Sequence, residues 1–167
     1  MPAAPDDALQ FTIRPATGED LAPVSALLEQ AQLAPNGIDT QFGPQFAVAI
    51  DACSGAVIGA AGVERYVDAN GSVGLFRSAV VDDRWRGRGV GAALTRNRMA
   101  WAESERLEAL YLLTETAADY WPRFGFERTS REAAPDAIMA SHEWRHGCPA
   151  SAVAMRAAIQ RVRPADH

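Results

Sequence analysis

The chain has 167 residues, of which 48% are hydrophobic, and a formal net charge of −5 at pH 7. This length suits one domain with its own core, and the acidic balance argues against general binding to nucleic acids, whose protein partners usually carry a basic surface. No uninterrupted apolar run is long enough to cross a bilayer. We therefore expect a single domain over residues 1–167, located in the cytoplasm, with neither nucleic acid nor membrane as a partner.

The absence of lysine and the presence of only two cysteines limit the kinds of active site that this chain can form. All 16 basic residues are arginine, which excludes a Walker A phosphate loop, a pyridoxal Schiff base and a lysine nucleophile. The cysteines are Cys53 and Cys148, and a single pair in such a chain favours reduced thiols over a disulfide scaffold. The first ten residues, MPAAPDDALQ, show neither the basic region nor the apolar region of a secretory signal.

The predicted elements begin with a strand, FTIRPAT, followed by a helix. Thr17 and Asp20 have the spacing of a capping box, and apolar residues then recur at helical intervals to about Leu33. Strands are predicted over 46–50, 56–67 and 72–81. The pair Asn70-Gly71 is a hairpin signal, so these three strands should form an antiparallel meander.

The second half begins with the segment WRGRGVGAAL and a helix that runs to about Glu105. A compact apolar strand, ALYLLT, and a short helical turn follow, the turn limited by Pro122 and ended by Gly125. One further helix, APDAIMASHEWRH, and a closing strand, SAVAMRAAI, complete the order. Residues 1–9 and 161–167 are expected to be flexible.

The glycine-rich segment after the third meander strand allows more than one interpretation. Gly87, Gly89 and Ala92 satisfy the Rossmann pattern G-x-G-x-x-[GA], and Glu115 follows the next strand as the acid of that motif. Two features argue against a dinucleotide-binding fold. Too little chain remains for its second mononucleotide-binding half, and an antiparallel meander precedes the motif. A tight turn with solvated arginines is the plain alternative.

The arginines of this segment point to a bound anion. They gather at the start of a helix, where the positive end of the helix dipole disfavours further cations, and they are Arg84, Arg86 and Arg88. A bound phosphate group would offset this unfavourable interaction between the arginines and the helix dipole. Backbone N–H groups of a glycine-rich turn and of the first helical turn can cradle a pyrophosphate.

The order strand, RGRGVG, helix, strand, YWPRFGF resembles the coenzyme A-binding core of the GNAT N-acetyltransferases, with their motif [QR]-x-x-G-x-[GA]. The segments GVERY, LFRSAVV, YLLTETAADYWPRFGF and SHEWRHGCPASAVAM are similar to the small subfamily associated with bacterial arsenic-resistance operons. The resemblance implies an α/β (α+β) fold: a mixed, mostly antiparallel twisted sheet of six or seven strands flanked by about four helices. It also implies acetyl-CoA as cosubstrate, no metal, and direct transfer to an amine in a ternary complex. The resemblance leaves open whether the protein is a monomer or a homodimer.

Carried over to this sequence, the resemblance implies two sets of cofactor contacts. The pyrophosphate would be held by the turn residues Arg86, Gly87, Arg88, Gly89, Val90 and Gly91. The pantetheine would pair with the backbone of Ala79, Val80 and Val81 in the manner of an added strand. One backbone N–H there can polarise the thioester carbonyl.

An acceptor amine must lose a proton, and Glu64, within an otherwise apolar strand, is the candidate base. A two-residue turn at Asn70-Gly71 places Glu64 opposite Arg77. The pair is either a structural ion pair or an acceptor site in which Arg77 binds a carboxylate. The predicted acceptor contacts are Arg77, Ser78 and Cys148, with Cys148 a packing residue in the alternative. The net charge suits a small zwitterion such as an amino acid, or an analogue, better than a basic peptide.

The tyrosine that commonly protonates the leaving thiolate in the family aligns with Trp121, and indole cannot act as that acid. Tyr120, one residue earlier, is the candidate catalytic acid, with a packed aromatic role and protonation by solvent as alternatives. A non-catalytic acyl-CoA sensor is therefore the alternative function.

The segment His142-Glu-Trp-Arg-His146 matches the zinc metalloprotease pattern H-E-x-x-H. That site needs a third ligand, and no Glu follows Glu143, while the later Asp and His stand at the extreme end. Cys148 could be a ligand in a different kind of metal site. A chance match on a solvated helix face, without metal, is the favoured interpretation.

Overall fold

The computed structural model describes residues 10–33, 37–69, 71–147 and 151–159. Its strands are β1 (Phe11–Pro15), β2 (Phe46–Asp51), β3 (Val57–Asp68), β4 (Gly71–Val81), β5 (Ala109–Thr114), β6 (Glu127–Thr129) and β7 (Val153–Ala158). Its α-helices are α1 (Leu21–Gln30), α2 (Val90–Ser104) and α3 (Asp136–Met139), and a π-helical turn spans Glu143–Gly147. No helix in these ranges is both long and apolar enough to span a membrane.

Within these ranges the strands form one seven-stranded sheet in the order β1-β2-β3-β4-β5-β7-β6. The pairs β1/β2, β2/β3, β5/β7 and β6/β7 are antiparallel, and β4/β5 is parallel. The neighbours β3 and β4 are joined by so few residues that they too must be antiparallel. The predicted mixed, mostly antiparallel sheet and the meander are confirmed.

Two predictions for the second half need correction. The short strand β6 was not expected, because three residues without apolar alternation give no strand signal. The helix predicted over APDAIMASHEWRH is divided into α3 and the π-helical turn. The Ser141 hydroxyl donates to the Ile138 carbonyl (2.6 Å) and accepts from the Trp144 N–H (3.2 Å), so its side chain replaces backbone partners where the helix stops.

Residue contacts divide the chain into two compact units. The first combines the residues up to Gly62 with Ser78–Arg98, and the second combines Val63–Arg77 with the residues from Met99 onward. The expectation of a single domain over 1–167 stays a prediction, and its flexible ends, 1–9 and 161–167, lie outside the described residues.

The first unit packs α1 against β2 and β3. Its buried core includes Val24, Leu28, Phe46, Val48, Ala60 and Val80. Gly59 explains how α2 lies close to this sheet: a Cβ there would meet Leu94, Val90 and the Val80 carbonyl oxygen at 3.1 Å. Any larger side chain at this position would push the start of α2 away from β3.

The helix α1 begins with the residues that the sequence indicated. The Thr17 N–H donates to the Asp20 carboxylate (2.8 Å), and Arg14 donates to both oxygens of the same carboxylate (2.7 and 3.0 Å). The hydrogen bond from Arg14 is the largest of the effects that hold the pKa of Asp20 below its usual value.

The second unit packs the region around α3 and the π-helical turn on the sheet. Its core includes Val73, Leu75, Tyr111, Ile138, Trp144 and Ala154. A second aromatic group joins Phe76, Trp121 and Phe126, with ring centroids 5.3 to 6.3 Å apart. These contacts fix the positions of β4 and β5 within the unit.

Candidate active site

The turn between β4 and α2 belongs to the first unit. After Val81 the Asp82 N–H donates to the Ile58 carbonyl of β3 (2.8 Å), and a 3₁₀ turn spans Asp83–Trp85. Gly87 and Gly89 have φ angles of +78° and +82°, a region that side chains other than glycine rarely adopt. A Cβ at either glycine would meet nothing within 4 Å, so the space above the turn is open on the protein side.

The arginines of the turn lie at the surface beside aspartates. Arg84 pairs with Asp82 (3.3 Å) and Arg86 with Asp83 (3.1 Å), with the arginine side chains 86% and 64% exposed. The hydrogen bonds from Arg84 lower the pKa of Asp82. Neighbouring carboxylates thus already offset part of the charge of the arginine cluster, and the bound anion stays a prediction.

The remaining arginine of the turn, Arg88, lies against an aromatic ring. Its guanidinium carbon is 4.9 Å from the centroid of the Trp85 ring, which itself contacts Phe11 edge-on at 6.3 Å. Arg86, Gly87, Arg88 and Gly89 are all exposed, whereas Val90 is buried at the start of α2. The predicted pyrophosphate segment is therefore an accessible turn anchored by one buried residue.

The residues predicted to pair with pantetheine end β4. Val80 is buried in the core, while Ala79 and Val81 are partly exposed. Ser78, just before them, has a φ of +59°, which is unusual for a residue with a side chain and marks a departure from regular strand geometry. This irregularity of β4 lies directly before the predicted cofactor backbone.

A buried group of ionisable side chains occupies the second unit. The Arg77 Nη1 lies 3.1 Å from the Glu64 Oε2, and both side chains are at most 4% exposed. The predicted contact between these residues is confirmed; their roles stay predictions. The Tyr66 hydroxyl donates to the Glu64 Oε1 (2.7 Å). Burial, together with this carboxylate, raises the pKa of Tyr66, so the phenol stays protonated.

Glu143 is a member of this group that the sequence did not indicate as a partner of Arg77. Its Oε2 lies 3.3 Å from the Arg77 Nη2, and its side chain is 15% exposed. The expectation of a solvated helix face is thus wrong for Glu143 and for the buried Trp144, although His142 is exposed. The π-helical turn directs these two residues inward, and no local pattern announces such a turn.

The zinc interpretation of this segment gains no support from the described residues. No group of three or more His, Cys, Asp or Glu side chains within the described ranges is arranged to hold a metal ion. The side chain of His146 and the whole of Cys148 lie outside the described residues. The predicted acceptor contact through Cys148 therefore stays a prediction.

The residues at the predicted thiolate end are aromatic and packed. Trp121 is buried, and Tyr120 lies edge-on against it with ring centroids 5.0 Å apart. The Arg123 guanidinium carbon lies 4.4 Å from the centroid of the Tyr120 ring. Gly125, with a φ of +92°, ends this 3₁₀ turn as predicted. These contacts describe a packed aromatic side chain, and the acid role of Tyr120 stays a prediction.

The sequence matches a protein-family model, and the fold resembles that of solved structures. The model described as an acetyltransferase (GNAT) domain matches residues 43–128, just over half of the chain, which includes β3, β4, the turn and α2. No curated protein matches the sequence.

Three solved structures show how widely the fold is shared at low identity. N-acetylglutamate synthase from Neisseria gonorrhoeae, with coenzyme A and N-acetyl-glutamate, has a TM-score of 0.74 and 16% identity over 90% of this chain and 35% of that chain. The GNAT family N-acetyltransferase YhbS from Escherichia coli, with CoA, has a TM-score of 0.67 and 20% identity over 95% and 86%. Glucosamine-6-phosphate N-acetyltransferase from Arabidopsis thaliana has a TM-score of 0.60 and 20% identity over 72% and 93%.

The chain spans about a third of the length of the Neisseria synthase. At these identities the structural likeness concerns the fold, and the names of the Neisseria and Arabidopsis enzymes indicate different acceptors. The family match, the seven-stranded sheet and the glycine turn before α2 agree with one another. The chain belongs to the GNAT acetyltransferase family.

Proposed function

We propose that the protein is an N-acetyltransferase that moves the acetyl group of acetyl-CoA to the amine of a small molecule in a ternary complex. The observation that carries this proposal is the turn between β4 and α2. Its two glycines with positive φ leave open space at the start of a 15-residue helix, inside the segment that matches the family. Outward backbone N–H groups and the helix dipole suit a pyrophosphate at such a turn.

The cosubstrate proposal also agrees with the surface charges. Arg86 and Arg88 are exposed, and exposed ion pairs such as Arg86–Asp83 contribute little stability. A phosphate can therefore take the place of the aspartate on Arg86. The Neisseria and Escherichia structures both contain coenzyme A. We assign the pantetheine to the backbone of Ala79, Val80 and Val81, where β4 leaves regular geometry.

The proposed reaction forms one bond and breaks one. The amine nitrogen attacks the thioester carbonyl carbon, the carbon–sulfur bond breaks, and coenzyme A leaves as a thiolate that takes up a proton. Glu64 is the proposed acceptor of the proton that the amine gives up. Arg77 and Tyr66 both donate to its carboxylate, which holds it in place.

The leaving thiolate needs a proton from an acid or from water. Tyr120 is the candidate, but its ring packs against Trp121 and Arg123. The thiol of coenzyme A is acidic enough for water to serve in its place. The packed tryptophan at the usual tyrosine position also favours the second candidate function, a sensor that binds acyl-CoA without turnover.

The acceptor proposal begins with small amines, including amino acids. Arsenic-containing amino acids belong to the panel because of the resemblance to the arsenic-resistance subfamily. An amino-acid acceptor held by Arg77 would require one of its terminal nitrogens to release a carboxylate, because Nη1 contacts Glu64 and Nη2 contacts Glu143.

The test is release of free thiol from acetyl-CoA in the presence of a panel of amines, amino acids and amino sugars. We expect turnover with at least one acceptor and none with Gly89→Glu, whose carboxylate would stand where the pyrophosphate approaches. Binding of acetyl-CoA without turnover by any acceptor would support the sensor. A zinc hydrolase would instead lose activity with a chelator and contain about one equivalent of metal.

A further inference from the structure

The two aspartates at the start of the turn before α2 are placed differently, although they are neighbours in the chain. The Asp82 side chain is 15% exposed, and its carboxylate accepts a hydrogen bond from the Arg84 N–H (2.9 Å). The Asp83 side chain is 81% exposed, and its carboxylate lies 3.1 Å from the Arg86 guanidinium. Asp82 therefore closes the turn, whereas Asp83 contacts a guanidinium that the proposed function assigns to a phosphate.

The backbone of the turn keeps Asp83 beside Arg86. The Asp83 carbonyl accepts a hydrogen bond from the Arg86 N–H (3.4 Å), so one 3₁₀ turn joins the two residues. They are three positions apart, a spacing that brings side chains together on a helical turn. Because both groups belong to one turn, the carboxylate is present at the guanidinium at a high local concentration when an anion arrives from solution.

The contact between Asp83 and Arg86 is weak enough for a phosphate to displace it. The Arg86 Nη2 lies 3.1 Å from the Asp83 Oδ1, and both side chains are mostly in water. Exposed ion pairs of this kind contribute little, whereas a phosphate can accept two parallel hydrogen bonds from one guanidinium. Binding of a phosphate to Arg86 must nevertheless break the existing pair, and the lost contact lowers the net affinity.

We propose that Asp83 is an affinity-determining residue that competes with the cosubstrate for Arg86. Its carboxylate weakens the binding of acetyl-CoA and of coenzyme A alike, because both carry the pyrophosphate. Asp82 is a positioning residue that supports binding by holding the turn. This inference rests on the proposed acetyltransferase function, and it adds two residues that lie outside the predicted cofactor contacts.

The experiment compares matched substitutions at these two positions in the purified full-length protein. Isothermal titration gives the Kd of coenzyme A for each variant. Asp83→Ala should tighten binding by about threefold, in line with the small strength of exposed ion pairs, and Asp83→Asn should do the same. Asp82→Ala removes the same charge but also the acceptor of the Arg84 N–H, and it should weaken binding by about threefold or more.

A double-mutant cycle tests whether the effect of Asp83 passes through Arg86. In the Arg86→Ala background the carboxylate has no guanidinium to occupy, so the gain from Asp83→Ala should fall to about 1.5-fold or less. Glu103→Gln, at an exposed position on α2, makes the same change in net charge and should bind coenzyme A as wild type does. Thermal melts check the fold of each variant, and Asp83→Ala should keep the wild-type Tm because its pair is exposed.

The outcomes separate this inference from the proposed function. Unchanged or weaker binding in Asp83→Ala, or an equal gain in the Arg86→Ala background, overturns the inference and leaves the acetyltransferase standing. Equal gains in Asp82→Ala and Asp83→Ala, or in Glu103→Gln, would reduce the effect to net charge and also overturn it. Absence of coenzyme A binding in the wild type and in every variant defeats the proposed function, and the inference with it.

Discussion

The arginine–carboxylate pairs of the two units differ mainly in their access to water. At the turn before α2, Arg84 and Arg86 are 86% and 64% exposed, and their aspartate partners are close neighbours in sequence. In the second unit Arg77 is 1% exposed and contacts carboxylates 13 and 66 positions away in the chain. Water screens the first pairs, so a ligand can replace them at small cost, whereas the buried pairs are part of the fold.

This difference suggests a division of labour. In the proposed function, the arginines of the exposed turn exchange their aspartate partners for a phosphate. The buried cluster consists of ion pairs that the fold holds in place. Substitutions in the two regions should therefore affect different measurements: cofactor affinity for the turn, and stability and acceptor kinetics for the cluster.

The largest expected effect is on the stability of the buried cluster. Arg77→Met leaves the carboxylates of Glu64 and Glu143 without their shared cation, and we expect the free energy of unfolding to fall by about 3–5 kcal/mol. Denaturation by urea measures it. Arg84→Met, the matched change in an exposed pair, should cause no measurable loss. Equal losses in the two variants would erase the contrast between the regions.

The next effect concerns catalysis by the cluster. Glu64→Gln keeps the shape of the side chain but cannot accept the proton of the amine, so kcat should fall by about 100-fold or more while coenzyme A affinity is kept. Steady-state thiol release and calorimetry give the two quantities. A variant with a lower Tm and wild-type kinetics would show that the pair with Arg77 is structural only.

A smaller effect is expected at the turn. Arg86→Ala should weaken coenzyme A binding by about tenfold and reduce the salt dependence of binding, because one charge-assisted phosphate contact is lost. Its Tm should not change, since the Asp83 pair is exposed. Arg84→Ala is the control, because Arg84 is outside the proposed phosphate contacts. A matching loss of affinity in Arg84→Ala would indicate a general charge effect.

The smallest effect tests an intermediate case, the nearly buried carboxylate of Asp20 and its half-exposed partner Arg14. The pKa of Asp20 is lower in the folded state than in the unfolded chain. The Asp20 carboxylate therefore stabilises the fold above the unfolded pKa of about 3.9, and this stabilisation is lost as the pH falls through the folded value. Asp20→Asn should cost about 1 kcal/mol at pH 7 and progressively less in acid. Thermal melts from pH 7 to pH 2 check this, and a pH-independent difference would contradict it.

The features that the sequence predicts well are those set by neighbouring residues. The strand before RGRGVG, the glycines that need positive φ, and the capping pair Thr17 and Asp20 all follow from local patterns. The contact between Glu64 and Arg77 was also predictable, because a tight hairpin fixes the register of its strands. The sheet followed from the order of these elements together with the family resemblance.

Features that depend on contacts far apart in the chain were missed. Glu143 reaches Arg77 only because a π-helical turn interrupts the segment after α3, and helical periodicity cannot show that interruption. The strand β6 owes its pairing to β7, a partner about 25 residues later, and not to its own composition. Asp82 and Asp83 stand close to Arg84 and Arg86 in the sequence. Only the three-dimensional structure shows that they form ion pairs with those arginines.

The central claim, that the turn before α2 holds the pyrophosphate of coenzyme A, is tested most directly by isothermal titration of coenzyme A into the wild-type protein and into Gly89→Glu. We expect one equivalent to bind to the wild type and no measurable heat in the variant, while Gly89→Ala retains part of the affinity because a Cβ at this position meets nothing within 4 Å. Undiminished binding of coenzyme A to Gly89→Glu, or binding of NADH in place of coenzyme A to the wild type, would contradict the account.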